Sequence, residues 1–420
     1  MRFQKTVFIL LFLFLPLGIV AQEQNREASR RFAVLEQLYM ENDQNQYTRF
    51  LITDFNAFLL RYPGSENDAE VLSMLANLYG HTGQPYRAVL THFKTIFLHP
   101  TSAQADSARS RIEDLVQQAQ YPQLLEKAEP LRNKLHVQIP FENRALNHFE
   151  LLSFLYQLQI PPFNGILLEE FNRYEQLYGD AGEKEDILLL WKGRLYEALE
   201  EYGSAVGCYR LLLHLFPQSS LKAEALLQTG IVEYSRMGQD EKAMHNFIEI
   251  INSFPGTDVA GEAQFHLGRL YQLNRHNAEE ALNNYQLLVE TFPEHPRRAE
   301  ALRYCAQILE KEKRYPEAVK YYNLFFSHFA DDSLADTILL KMADLYEQQL
   351  NNPPRAAATL LTFARRFPQD AYAPAALYRA ALLYRKARQT EKVRTACTLL
   401  IKEYPHSPEA EKAKKLLDEL

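Results

Sequence analysis

The sequence predicts an all-α protein, a solenoid of about ten helix-turn-helix repeats. Three observations carry that prediction. An aromatic-Pro pair recurs at Tyr62-Pro63, Phe216-Pro217, Phe254-Pro255, Phe292-Pro293, Phe367-Pro368 and Tyr404-Pro405, with His99-Pro100 in the same role. Adjacent members of the series lie 37 or 38 residues apart, a period that marks stacked supersecondary units. Between them, apolar residues recur three and four apart, as in Leu226-Leu227, Gly230-Ile231, Tyr234, then Ala243, Phe247, Ile250-Ile251 and Phe254, which is the helical period. Turn-forming runs split each repeat in two, among them His81-Thr82-Gly83-Gln84, Glu200-Glu201-Tyr202-Gly203, Met237-Gly238-Gln239-Asp240, Asn274-Arg275-His276-Asn277 and Asn351-Asn352-Pro353. Each unit reads as a first helix, a tight turn and a second helix.

From the N-terminus, the first segment has the form of an export signal. Arg2 and Lys5 precede an uninterrupted apolar run from Val7 to Leu15, Pro16 and Gly18 break it, and Ile19-Val20-Ala21 offers a cleavage site before Gln22. The apolar stretch from Thr6 to Val20 falls short of the roughly 20 residues that span a bilayer, so removal is expected and no transmembrane anchor remains. No Cys lies near the cut to accept a lipid. Periplasmic or secreted localisation is the expectation, and residues 22–420 form the mature chain.

Two divisions of that chain differ in regularity. Residues 22–180 carry degenerate repeats, with Ile139-Pro140 and Tyr178-Gly179 dividing the interval from Pro100 to Pro217, and residues 181–420 carry well-matched ones. Phe329-Ala330 closes the gap between Pro293 and Pro368 by the same ruler. Pro85, Pro316 and Pro354 stand where second helices begin, since the missing N–H costs nothing there. Ser65 with Asp68, Ser219-Ser220, Thr257-Asp258 and Ser407 followed by Pro408 and Glu409 are expected to cap the next first helices. The final SPEAEKAKKLLDEL has one polar face, suited to close the last unit.

The formal charge is −7 over 420 residues, and loss of Arg2 and Lys5 makes it −9, the wrong sign for a polyanion partner. Cys208, Cys305 and Cys397 sit inside apolar helical stretches and read as small core residues. There is no phosphate loop, GxGxxG, GxSxG, HExxH or paired CxxC, so no cofactor, metal or catalytic residue is expected. His92 and His245 fall on second-helix patterns as ordinary flanking or partly buried side chains. The acidic runs Glu183, Glu185, Asp186 and Glu310, Glu312 fall beside turns, as solvated helix ends do. Arg297-Arg298 and Arg365-Arg366 lack the interleaved aromatic rings of single-strand binding. Phe163 and the pair Phe325-Phe326 fall outside the repeat's core slots; packing on neighbouring units is expected of them, with a partner anchor as the alternative.

Gly193, Tyr196, Ala205, Tyr209 and Pro217 resemble the tetratricopeptide repeat at that family's own spacing. Gly268, Tyr271, Ala281, Tyr285 and Pro293 follow with one extra turn residue, and Tyr234, Ala243, Phe247 and Pro255 match without the Gly. The resemblance is strong from about Leu188 onward, fair from Ala69 to Pro100, and weak from Thr101 to Gly179. The segment FPGTDVAGEAQFHLGRLYQL is similar to repeats of two bacterial envelope families, BamD-like outer-membrane assembly lipoproteins and the C-terminal domain of the Tol-Pal cell-division coordinator. The chain departs from the first in lacking a lipidated Cys and in having more units, and from the second in lacking an N-terminal coiled-coil region.

The resemblance implies a right-handed superhelix whose first helices line a concave groove for a peptide or protein. Positions beside the core Tyr carry over as Arg194 and Glu197, Gln228 and Ser235, Arg269 and Gln272, then Arg303, Gln307 and Glu310. Arg recurring in an acidic chain suits an acidic or C-terminal carboxylate ligand, while the same residues also suit a merely solubilising face. The expected function is a scaffold or adaptor for protein partners of the cell envelope, acting by binding alone. The alternative is glycan or peptidoglycan binding or processing on an α-superhelix.

Overall fold

The computed structural model describes residues 16–136, 143–179 and 184–420. Of the signal-like segment 1–21, residues 1–15 lie outside the described residues, as do the Ile139-Pro140 boundary and Glu183, while Pro16 and Gly18, expected to break the segment, lie within the first helix, Pro16–Met40. Among the described residues there are 22 α-helices and no strand. None of these helices is long and apolar enough to cross a membrane. The chain divides into two compact units, the first ending at Leu221 and the second beginning at Lys222.

In the first unit α1 (Pro16–Met40) pairs with α2 (Thr48–Arg61), and α3 (Asp68–His81) with α4 (Pro85–Leu98). Next come α5 (Ala103–Val116) and two short helices, α6 (Pro122–Glu126) and α7 (Ala128–Leu135). Then α8 (Arg144–Gln157) pairs with α9 (Asn164–Tyr178), and α10 (Glu185–Ala198) with α11 (Tyr202–Leu215). The second unit holds five pairs: α12 (Lys222–Arg236) with α13 (Asp240–Ser253), α14 (Asp258–Leu273) with α15 (Ala278–Thr291), α16 (Arg298–Lys311) with α17 (Tyr315–His328), α18 (Ala335–Asp344) with α19 (Pro353–Arg366), and α20 (Ala373–Lys386) with α21 (Thr390–Glu403). A π-helical turn, Leu345–Gln349, extends α18, and α22 (Pro408–Asp418) packs on α20 and α21 as a closing helix.

Local chemistry explains these boundaries. Phe216, Phe254, Phe292, Phe329, Phe367 and Tyr404 each come directly after a second helix, and each donates its backbone N–H to the carbonyl four residues back. The next residue is then Pro in five of these, which cannot continue the ladder. Phe329, with Ala330 after it, ends its helix in the same way. Pro85 opens α4, Pro353 and Pro354 open α19, and Pro316 is the second residue of α17. Thr257 and Ser407 cap α14 and α22, accepting from the N–H groups of Ala260 and Ala410. Two expected caps do other work. Ser65 Oγ donates to Asp68 Oδ1 at 2.9 Å, and Ser219 Oγ accepts from Leu221 N at 3.0 Å while donating to Asp186 Oδ2 at 2.5 Å.

The second unit stacks as the period predicts, each second helix lying on the first helix of the next pair. The first unit departs from that line around α4. This helix packs on α3, α5 and α8, and 12 of its 14 residues are buried, Thr91, His92, Lys94 and Thr95 included. The reason is the interrupted stretch after α5. Pro122 and Pro130 fall where a long second helix would run, leaving only the short α6 and α7. The α8–α9 pair therefore reaches α4 and α2 directly.

Aromatic packing obeys the same logic. Phe163 is fully buried, edge-on to Tyr86 at 5.5 Å between centroids. Phe325 is buried, and Phe326 packs against the same core. Trp191 stacks against Phe149 and Tyr156 at 5.4 and 4.8 Å.

Candidate interaction surface

Along α10, α12, α14 and α16 three positions have different jobs. The first is a seat for a ring from the partner helix. A Cβ added at Gly193 would lie 2.2 Å from Tyr209 Cε1, one at Gly230 would lie 2.7 Å from Phe247 Cε1, and one at Gly268 would lie 2.7 Å from Tyr285 Cε1. Only a residue without a side chain leaves those rings room. Ala306 occupies the same place before Tyr322.

The second position, four residues on, holds Glu197, Gln272 and Glu310. The core tyrosine hydroxyls donate to these groups: Tyr209 to Glu197 Oε1, Tyr285 to Gln272 Oε1 at 2.8 Å, and Tyr322 to Glu310 Oε2 at 3.0 Å. A buried phenol needs such an acceptor. Burial pushes all three phenols up, and the carboxylates beside Tyr209 and Tyr322 push them further. Where the ring is Phe247, which has no hydroxyl to satisfy, the matching position is Tyr234, whose hydroxyl meets His266 Nδ1 at 2.9 Å.

The third position, one after the seat, holds Arg194, Arg269 and Gln307, all half-buried. Arg269 donates to the Tyr304 hydroxyl, and the Arg269 and Arg303 guanidinium carbons lie 5.4 and 5.0 Å from the Tyr304 ring centre. Tyr304 in turn donates to Glu300 Oε1 at 2.8 Å. These two arginines are thus gathered about one ring, a favourable cation–π arrangement. Gln228 donates within its own helix to Glu224 Oε1 at 2.7 Å, and Ser235, exposed, donates to the Ile231 carbonyl at 2.5 Å.

Along the second unit, contacts of this kind join successive first helices into a polar ladder. Tyr234 meets His266, Arg269 meets Tyr304, Lys341 Nζ lies 3.1 Å from Glu310 Oε2, and Arg379 lies 2.6 Å from Asp344 Oδ1. Outside that ladder, Arg297 pairs with Glu262 at 3.1 Å, and Arg366 pairs with Asp331.

In the α3–α4 pair the same positions are filled differently. The seat is Ala76, the next residue is Asn77, the acceptor position is Gly80, and the ring position on α4 is His92. A side chain at Gly80 would meet nothing within 4 Å. A cavity of about 440 Å³ opens there, lined in part by Asn77, His81, His92, Arg111, Asp114 and Tyr121. His92 is only 4% exposed and its Nδ1 has no hydrogen-bond partner. Burial, with Arg111 adding, lowers the imidazole to about 4. Reading His92 against the column of Tyr209, Tyr285 and Tyr322 is the sequence signal for this site; read on its own, the histidine looks ordinary.

Beneath α4's other face lies a buried ionic cluster. Lys94 Nζ is 2.6 Å from Glu170 Oε1, with His148 Nε2 at 3.0 Å and Arg173 Nη1 at 3.4 Å from the same carboxylate. Burial alone would raise Glu170, yet Lys94 and its other partners hold it well below the ordinary carboxylate value. Asp68, fully buried, accepts from Arg144 at 2.5 Å, Gly64 N at 2.8 Å and Ser65. Arg87 grips Glu169 with two bonds of 2.6 and 2.7 Å. These pairs tie α3 and α4 to α8 and α9.

Cys305 and Cys397 are buried and Cys208 half-buried, and burial raises all three thiols, Cys397 to about 11. Such thiols are poor nucleophiles at neutral pH. His245 is exposed. Among the described residues no group of His, Cys, Asp and Glu has the arrangement to hold a metal ion. The first-helix face offers hydrogen-bonding and ionic contact.

A tetratricopeptide-repeat family model matches residues 270–325, and a second model of the same repeat matches 224–257, 338–370 and 375–407. No curated protein matches the chain. Solved structures similar to it include a tetratricopeptide-repeat protein from Parabacteroides merdae, 17% identical with TM-score 0.38 over 66% of this chain and 98% of that one. Others are the C-terminal part of a repeat-containing protein from Cytophaga hutchinsonii (14%, 0.41, 63% and 98%) and PilF of Pseudomonas aeruginosa (16%, 0.34, 56% and 98%). The glycine seats, the alternating helix packing and the matched segments agree: residues 224–257, 270–325, 338–370 and 375–407 of this chain are tetratricopeptide repeats.

Proposed function

We propose that the protein is an exported scaffold that holds protein partners of the cell envelope along its first-helix face and acts by binding rather than catalysis. One observation carries the reading. Half-exposed polar side chains recur on the first helices, Arg194 in the first unit and Gln228, Arg269, Arg303 and Gln307 in the second, while their neighbours seat the core. A polar face carried from one first helix to the next within a unit suits an extended peptide or a partner helix. Tetratricopeptide repeats serve as protein-binding scaffolds, which supports the coarse reading. The signal-like N-terminus supports export, with a periplasmic or secreted destination.

The test is crosslinking in living cells, then affinity capture of the tagged mature chain and mass spectrometry of the species that accompany it. A stoichiometric envelope protein is the expected result. Recovery of glycan fragments alone would sink the scaffold reading. Arg194, Arg269 and Arg303 changed together to Ala, with helicity checked by circular dichroism, should lower recovery of that partner; undiminished recovery would remove these residues from the binding face.

A further inference from the structure

We infer that the small cavity enclosed by α2, α3, α4 and α9 is a binding site for one monovalent anion of chloride size. Arg87, Thr91 and Lys94, spaced for one face of α4, form one wall of it, and Glu169, Glu170 and Arg173 of α9 form another. The site lies within the first unit and does not depend on the scaffold reading.

Charge is out of balance there. The cavity, about 20 Å³, is lined by three cations, Arg87, Lys94 and Arg173, and by two carboxylates, Glu169 and Glu170. Arg87 and Glu169 close on each other through two hydrogen bonds of 2.6 and 2.7 Å. Glu170 is left to serve both Lys94, at 2.6 Å, and Arg173, at 3.4 Å. Asp68, buried in the same junction, is taken by Arg144. His148 lies 3.0 Å from Glu170, and burial lowers its imidazole, so it stays neutral near pH 7. One positive charge is therefore unmatched. Lys94, 5% exposed, has little water to spread it into. Burial lowers the Lys94 ammonium, Glu170 raises it, and Arg173 and Arg144 lower it again. An anion in the cavity offsets that last pair.

Hydrogen bonding is out of balance in the same direction. An ammonium has three N–H groups, and Lys94 gives one to Glu170 Oε1. The Tyr79 hydroxyl accepts from Asn56 Nδ2 at 2.9 Å and donates to no described residue. Both side chains line the cavity, and together they have three protons to spare. Buried donors of this kind call for an acceptor. A water would take the bonds and leave the charge, whereas an anion answers both. Size selects the anion. About 20 Å³ is room for a single water-sized sphere, which admits chloride and excludes sulfate, phosphate and the end of a peptide. Glu169, 59% exposed, stands on the solvent side and leaves an ion a way in.

The experiment uses the full mature chain at fixed ionic strength, with sodium chloride replacing sodium isethionate, whose anion is too large for the cavity. Trp191, the sole tryptophan, reports urea unfolding of the first unit. The midpoint should rise saturably with chloride, as for a ligand held by the folded state alone, and bromide should act alike. Arg173→Gln removes the unmatched charge and leaves Lys94 paired with Glu170. It should still unfold cooperatively, with chloride affinity about tenfold weaker, the loss of one charge-assisted contact. Arg173→Lys, which keeps the charge, should keep the chloride dependence. The NMR linewidth of chloride supplies a readout apart from stability: the folded parent should broaden it, bromide should reverse the broadening by competition, and Arg173→Gln should abolish most of it. Equal midpoints in chloride and isethionate, the same chloride dependence in Arg173→Gln, or no broadening that bromide reverses would overturn the inference and assign the cavity to water.

Discussion

Gly193 and Gly207 lie on facing helices of one pair and differ only in their surroundings. A methyl group at Gly193 would fall inside the Tyr209 ring, whereas one at Gly207 meets nothing within 4 Å. Overpacking of that kind costs about 1–3 kcal/mol, while an exposed helix-interior glycine gives back roughly 0.5–1 kcal/mol when replaced by Ala. Gly193→Ala should therefore destabilise the protein and Gly207→Ala stabilise it, with opposite shifts in urea midpoint. If the two substitutions moved the midpoint alike, the seat would not be setting the helix approach. The residue scale also explains why Glu197, Gln272 and Glu310, read from the sequence as surface positions, are half-buried. Each one satisfies a phenol that the sequence places in the core, and a hydroxyl's partner across two helices has no local signature.

Among the elements, α4 is where local pattern and final environment diverge most. Its polar residues Thr91, His92, Lys94 and Thr95 suggest a helix with a wet face, yet all four are buried. Lys94 is buried because Glu170, 76 residues away, arrives opposite it at 2.6 Å. Removing one partner from such a cluster leaves uncompensated charge, at about 3–5 kcal/mol. Glu170→Ala should lower the unfolding free energy of the first unit by that order. The sole tryptophan, Trp191, stacks on Phe149 in the same unit, so its fluorescence in a urea titration reports the loss directly. A shift below about 1 kcal/mol would mean the cluster is more hydrated than its burial indicates.

For the molecule as a whole, buried imidazoles set the acid limit. Burial lowers His92, His99 and His266 to about 4 from 6.5, with nearby arginines adding to the effect, and it lowers His148 as well. Below 6.5 the unfolded chain takes up protons that the folded chain refuses until about pH 4, so folding is disfavoured progressively across that window. The thermal midpoint should hold near neutrality and fall as pH drops from about 6.5 towards 4. His266→Gln should reduce the slope in that range, measured by differential scanning fluorimetry against pH. An equal slope in the variant would assign the acid loss to carboxylates instead.

By itself, the sequence determined the helix class, the repeat period and most helix boundaries. Those rest on interactions within a few residues: the aromatic-Pro stop, the small seat with its ring, the proline at a second-helix start. It also identified the repeat through Gly193, Ala205 and Tyr209. Only the tertiary structure decided that α8 and α9 reach α4 past a broken third repeat, that Lys94 and Glu170 meet, and that Arg269 and Arg303 share Tyr304 while Arg111 faces an open cavity. These depend on which surfaces remain uncovered once neighbouring helices have packed. A sequence period registers the features each helix repeats, and it carries no record of the space a distant helix leaves empty.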